Sequence, residues 1–112
     1  MGRLYVLSML SVPINFDRNQ NVIIKYRAIS VDEARELLKK REFISAVGHE
    51  STAALLSELL NVKIPYNRIS VYLEPGDEAI CFALRARPPE GKVLTVEELR
   101  QLGFWLLHAK VE

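Results

Sequence analysis

The sequence predicts an α/β fold, a single domain with a mixed, mainly five-stranded β-sheet flanked by helices. Apolar, β-forming runs of strand length recur along the chain, at Leu4–Leu7, 21–28, 43–47, 78–86 and Phe104–Val111. Between them lie stretches with helical apolar spacing, two of which open with a Ser/Thr-x-x-Glu capping box. A length of 112 residues suits one core and excludes two domains.

Leu4–Leu7 suits a central strand buried on both faces, and Pro13 stops the stretch that follows. Ser8 and Ser11 lie just past its end. Ligands favour the mouths of strands in open α/β sheets, so these hydroxyls are candidate ligand contacts, with ordinary turn serines as the competing reading. Residues 21–28 (NVIIKYRA) carry Lys25 and Arg27 among β-formers, as a half-exposed strand near a sheet edge would. Ser30-Val31-Asp32-Glu33 is a capping box, and Ala34, Leu37 and Leu38 supply the buried stripe of a helix reaching about Arg41. Its charged face reads as solvated surface, with Glu36 and Lys40 in the favourable i,i+4 order.

Residues 43–47 (FISAV) read as a short buried strand, and Leu55, Leu56, Leu59 and Leu60 as the buried face of a helix. Gly48 and His49 therefore sit at a strand-to-helix junction. Helix N-termini present unpaired N–H groups and a positive dipole end, so the amides near Ser51 and Thr52, with both hydroxyls, form a phosphate cradle. Two readings of His49 stand at this point, a proton donor or acceptor beside that cradle and a simple helix cap or hydrogen-bonded junction residue.

A loop over 61–67 holds Pro65, and 68–73 (RISVYL) alternates Ile69, Val71 and Leu73 inward as a further strand beginning at Arg68. The turn signature Glu74-Pro75-Gly76-Asp77 joins it to 78–86 in an expected antiparallel hairpin. Arg85 and Arg87 then lead a polar loop, 85–92, at the end of a buried strand, a place where loops often carry function. Thr95-Val96-Glu97-Glu98 is the second capping box, opening a short helix that stops at Gly103. In the final strand Trp105 reads as packing or dimer surface, and His108 as facing solvent or a neighbour.

Hydrophobic residues make up 49% of the chain and charged residues 26%, which is the balance of a soluble globular domain. Fifteen basic and fourteen acidic residues leave a net charge of +1, too little for the broad basic surface of non-specific duplex DNA binding. A single cysteine, Cys81, can form no internal disulfide and reads as a buried small hydrophobe, so a cytoplasmic location is expected. No apolar run approaches the roughly 20 residues of a membrane span. The N-terminal apolar run lacks a cleavage site, and Val6 stands where a myristoylation signal needs Ser or Thr, so no membrane attachment is expected.

Two histidines and one cysteine on separate elements do not make zinc spacing, and neither a G-x-S-x-G elbow, a Walker A motif nor a dinucleotide fingerprint is present. No metal and no cofactor are expected. What remains is His49 at a phosphate-cradling helix start, arginines at two strand ends, and a loop carrying Arg87 and Glu90. Those parts suit metal-independent RNA cleavage, in which a ribose 2′-hydroxyl attacks the adjacent phosphorus. Arginine offsets the phosphorane charge and a protonated histidine serves the departing 5′-oxygen.

The segments SMLS at 8–11, AVGHEST at 46–52, YNRISVYL at 66–73, GDEAI at 76–80 and RPPEGKVLTVEEL at 87–99 resemble one family across nearly the whole chain. That family is the type III anti-CRISPR ring nucleases of archaeal viruses, phages and some prokaryotes. The resemblance implies degradation of cyclic tetra-adenylate, the messenger of type III CRISPR defence, to linear di-adenylate with 2′,3′-cyclic phosphate ends. It implies a homodimer that seats the two-fold ligand across its interface. By position, His49 matches the family's general acid, Arg87 and Glu90 its catalytic loop pair, and Ser11 and Arg68 its ligand-holding residues; Ser8, Gly48, Ser51, Thr52 and Arg85 complete the expected binding set. The loop 85–92 is expected to close over ligand. Ser8 stands where the family carries asparagine, Ala83 where it carries glutamine, and Pro88-Pro89 replace a more flexible, acidic lead, departures that bear on rate and ring-size preference. A non-cleaving messenger sponge and a viral DNA-binding or regulatory protein are the alternatives. The location becomes the host cytoplasm if the chain is viral.

Overall fold

The computed structural model describes residues 2–88 and 93–112. Five strands and three helices follow one another as β1 (Leu4–Leu7), β2 (Ile24–Ala28), α1 (Val31–Lys40), β3 (Ile44–Ser45), α2 (Glu50–Leu60), β4 (Glu78–Leu84), α3 (Val96–Leu102) and β5 (Phe104–Val111). They form one mixed sheet in the order β2-β5-β4-β1-β3. β1 runs parallel to both β3 and β4, whereas β5 is antiparallel to β4 and to β2. The α/β class and the five-stranded mixed sheet are thus as the sequence predicts.

The apolar run of β1 is buried along its whole length because it has a strand on either side and cover on both faces. Leu4 and Val6 point into the helical layer with Leu38, Leu56, Leu60, Ile80 and Leu99, while Tyr5 and Leu7 point the other way. That second face is covered by irregular chain rather than by helices, through Val12, Ile14 and Leu73. Cys81 lies on this face, and burial pushes its thiol up to about 11, so it is an inert small hydrophobe as expected. β2 takes the sheet edge with mostly exposed side chains, again as expected.

The helix ends follow their capping residues. Ser30 Oγ accepts from the Glu33 N–H at 3.1 Å, and the Glu33 carboxylate is held by Arg27. Thr95 and Glu98 make the full reciprocal box at α3. On α1 the Glu36–Lys40 pair spans 3.7 Å at the surface.

The expected strand over 68–73 and its hairpin do not form. Both edges of β4 are already taken, one by β1 and the other by β5, so no ladder remains for a hairpin partner. The segment instead lies along the irregular face. Leu73 is fully buried there and its N–H donates to the Pro13 carbonyl at 2.9 Å, but Ile69 is half exposed. The turn at 74–77 is real, with the Asp77 carboxylate accepting from the backbone N–H groups of Arg3 and Glu74, both at 2.9 Å. It delivers the chain to the side of β1.

The expected strand over 43–47 is shorter, limited to Ile44–Ser45 with an isolated bridge from Val47 to Tyr66. Ser45 is the cause. Its hydroxyl donates to the Pro65 carbonyl at 2.6 Å and accepts from the Val47 N–H at 3.3 Å, a local bond that competes with the ladder.

His108 does not point to open solvent. Its Nε2 meets Glu78 Oε1 at 2.8 Å, and Arg41 donates to the other carboxylate oxygen at 2.8 Å. Burial raises the Glu78 pKa, but the bonds from His108 and Arg41 outweigh it and hold the carboxyl below the usual carboxylate range. A carboxyl whose folded pKa is lowered adds stability that is present above its unfolded value, about 4.3, and is lost as pH falls through the lower folded one. Urea midpoints taken from about pH 6 to about pH 3 are therefore expected to fall more steeply for the native chain than for Glu78→Gln. Parallel curves would show that Glu78 carries none of the acid sensitivity.

Candidate functional site

Because β1, β3 and β4 are parallel neighbours, the segments that leave their carboxyl ends emerge at one end of the sheet. Ser8 and Ser11 follow β1, Gly48 and His49 follow β3, and Arg85 and Arg87 follow β4. This is the end at which open α/β sheets bind ligands.

His49 is the N-cap of α2, with extended backbone at φ −132° and ψ 127°, but its side chain makes no capping bond. Its ring is exposed and, among the described residues, makes no hydrogen bond or ion pair. The simple cap reading of the side chain therefore fails. α2 is seated by Ala53, Leu56, Leu59 and Leu60 in the helical core, which aims its first turn, with exposed Ser51 and half-buried Thr52, toward this end of the sheet. Eleven residues of aligned peptide dipoles sit behind those amides.

Arg68 is brought to the junction by a clamp the sequence did not reveal. The Asn67 side-chain amide donates to the Ser45 carbonyl at 2.8 Å, and its backbone N–H donates to the Val47 carbonyl at 2.9 Å. The next residue consequently lies against Gly48, where an added Cβ would stand 3.5 Å from Arg68 Cγ. A side chain at Gly48 would fit at van der Waals distance, so steric room does not by itself require glycine there.

The loop after β4 reaches the same place. Pro88, with Val93 and Leu94, lines a cleft of about 120 Å³ whose other wall includes Ser51, Thr52 and Leu55. Arg87 is exposed beside that contact. Glu90 and the rest of the second half of the expected closing loop, 89–92, lie outside the described residues. Ser8 is half-buried and Ser11 exposed on the stretch after β1, which Tyr26 ties down by donating its hydroxyl to the Leu10 carbonyl at 2.7 Å. Among the described residues no side-chain hydrogen bond joins either serine to His49 or the arginines.

The electrostatics favour an anion. Arg18, Arg27, Arg35 and Arg41 are paired with carboxylates. Among the described residues Arg68, Arg85 and Arg87 have no carboxylate partner, and Arg3 and Arg100 share that state elsewhere on the surface. Glu50, exposed beside His49, is the nearby negative group in sequence. No three His, Cys, Asp or Glu side chains among the described residues are grouped to hold a metal ion. Two clefts of about 510 and 440 Å³ open at the amino ends of the parallel strands around Gly2 and Arg3 and contain none of the expected site residues. Among the described residues no helix is long and apolar enough to cross a membrane.

Similar proteins come chiefly from archaeal viruses. "Uncharacterized protein 26" of Sulfolobus islandicus filamentous virus (isolate Iceland/Hveragerdi) is 42% identical over 106 residues, covering 92% of this chain and 88% of its own. "Uncharacterized protein ORF117" of Acidianus two-tailed virus is 41% identical over 110 residues, covering 96% and 92%. A bacterial relative, "Uncharacterized protein YddF" of Bacillus subtilis (strain 168), is 37% identical over 82 residues, covering 71% and 76%. In three dimensions the chain matches B116 of Sulfolobus turreted icosahedral virus with a TM-score of 0.74 at 25% identity, over 97% of this chain and 99% of that one. Residues 4–106 match the STIV B116-like family, and this chain belongs to it.

Proposed function

We propose that this protein is a metal-independent ring nuclease that binds cyclic tetra-adenylate across a homodimer interface and opens it, silencing type III CRISPR signalling in the cytoplasm of its host. The observation that carries the reading is the uncommitted His49 ring at the start of α2, with Arg68 lodged beside Gly48. Helix amides and arginines without carboxylate partners would collect the phosphodiester. His49 would supply the proton.

In the reaction a ribose 2′-oxygen bonds to its neighbouring phosphorus while the bond from phosphorus to the 5′-oxygen breaks. The 2′-hydroxyl proton passes to solvent and His49 protonates the departing 5′-oxygen, leaving a 2′,3′-cyclic phosphate with no water consumed. Arg87 and Arg68 offset the charge that builds on the equatorial oxygens. Glu90 would orient Arg87, and Ser8, Ser11, Ser51, Thr52 and Arg85 would hold the remaining phosphates and sugars. A two-fold dimer presents each group twice to a ligand of the same symmetry, so opposed phosphodiesters are cut to give two linear di-adenylates.

Incubating the purified protein with cyclic tetra-adenylate in excess chelator, and resolving products by mass, tests this directly. Di-adenylate bearing cyclic phosphate is the expected product. Tight binding without cleavage would instead identify a messenger sponge, and no binding would return the chain to a regulatory or structural role.

A further inference from the structure

Arg85 is held in a way its neighbours are not. Its backbone N–H donates to the Gly103 carbonyl at 3.0 Å, and its guanidinium carbon lies 5.9 Å from the centroid of the Trp105 ring. Gly103, the C-cap of α3, has φ 92°, a left-handed value that disfavours side chains. A Cβ on Gly103 would come within 2.9 Å of Arg85 Cδ and 3.5 Å of its Cβ and Cγ. The arginine stem thus runs in a slot that only glycine leaves open, and the half-exposed Trp105 forms the platform at its far end. Three residues on, Pro88 lines the cleft whose other wall includes Ser51 and Thr52. A three-residue span reaches at most about 10–11 Å, so the strip holding Arg87 runs between the Arg85 anchor and the cleft beside the first turn of α2.

We propose that Trp105 and Gly103 are positioning residues that lock the Arg85 stem and thereby aim Arg87 at the anion gathered on the first turn of α2. The inference rests on the phosphodiester-cleaving reading of that site. Arg85 is the anchor of the strip, and among the described residues its charge is shared with an aromatic face and not with a carboxylate. A guanidinium over a half-exposed ring is a modest attraction, suited to biasing an arginine among its rotamers. Small errors in placing a charged group cost rate far more than they cost binding.

Steady-state cleavage of cyclic tetra-adenylate should show Trp105→Ala losing roughly tenfold in kcat with KM changed less than about twofold. Trp105→Phe, which keeps a ring face, should recover most of the loss, and Gly103→Ala should reproduce it. Trp105 is the sole tryptophan of the chain, so its emission should change in Arg85→Ala, and exchange of the Arg85 amide should speed up in Trp105→Ala. Unchanged kcat in Trp105→Ala, a loss confined to KM, or no recovery by phenylalanine would overturn the proposal. If the native protein cleaves nothing, the nuclease reading falls alone. The anchor then stands if amide exchange and emission change as stated, and falls if they do not.

Discussion

Replacing His49 with alanine is expected to slow cleavage of cyclic tetra-adenylate by about 10²–10⁴-fold, the range contributed by a positioned general acid. The dissociation constant should stay within about threefold of the native value, since the arginines and helix amides that would hold phosphate remain. The asymmetry follows from the geometry. The His49 ring holds no backbone group and no side chain among the described residues, so its removal opens no buried gap and uncaps no amide. Single-turnover kinetics with the variant, beside equilibrium binding, separate the two quantities. Equal turnover in the variant would take His49 out of the mechanism, and lost binding would make it a ligand contact.

Leu56→Ala should produce the largest loss of stability, about 2–5 kcal/mol, with a Tm lower by roughly 10 °C or more. Leu56 is fully buried in the helical core with Leu4, Val6 and Ile80. Deleting its isobutyl group removes apolar contact between α2 and the sheet and leaves a cavity. A domain of this kind is stable by only about 5–15 kcal/mol, so the change consumes a large share of the margin. Glu58, exposed on the same helix, is the control, and Glu58→Ala should stay within about 0.5 kcal/mol of native. Below its transition the Leu56 variant should still cleave, because His49 and the first turn are not themselves altered. Thermal unfolding followed by circular dichroism reads both variants, and a Leu56→Ala midpoint equal to native would mean that the sheet does not depend on this helix.

Much of this architecture was written in local signals. The α3 capping box, the apolar run of β1 and the turn over 74–77 each act over a few residues, and each stands where the sequence placed it. The strand expected at 68–73 failed because alternation states which faces a segment buries, not whether a partner edge is free. Both edges of β4 had been claimed by segments distant in the chain. The candidate site divides the same way. His49 and the first turn of α2 were legible from a strand running into a helix, whereas the Asn67 clamp joins residues 22 apart and the Arg85–Trp105 contact needs the β4–β5 register. Ala83 sits opposite Trp105 in that register, and the Arg85 N–H bond to the Gly103 carbonyl continues it, which brings the ring near Arg85.

The order of strands across the sheet also governs how the chain can be made. β1 emerges first from the ribosome, yet its neighbours are β3 and β4, and β2 must wait for β5, which ends at Val111. At about 5–20 residues per second the early strands spend several seconds without their partners. Such non-local pairing is also intrinsically slow to form. Nascent chains of this protein therefore carry an apolar β1 with an open edge until β4 has been made, and a chain halted before β5 leaves β2 with no ladder at all.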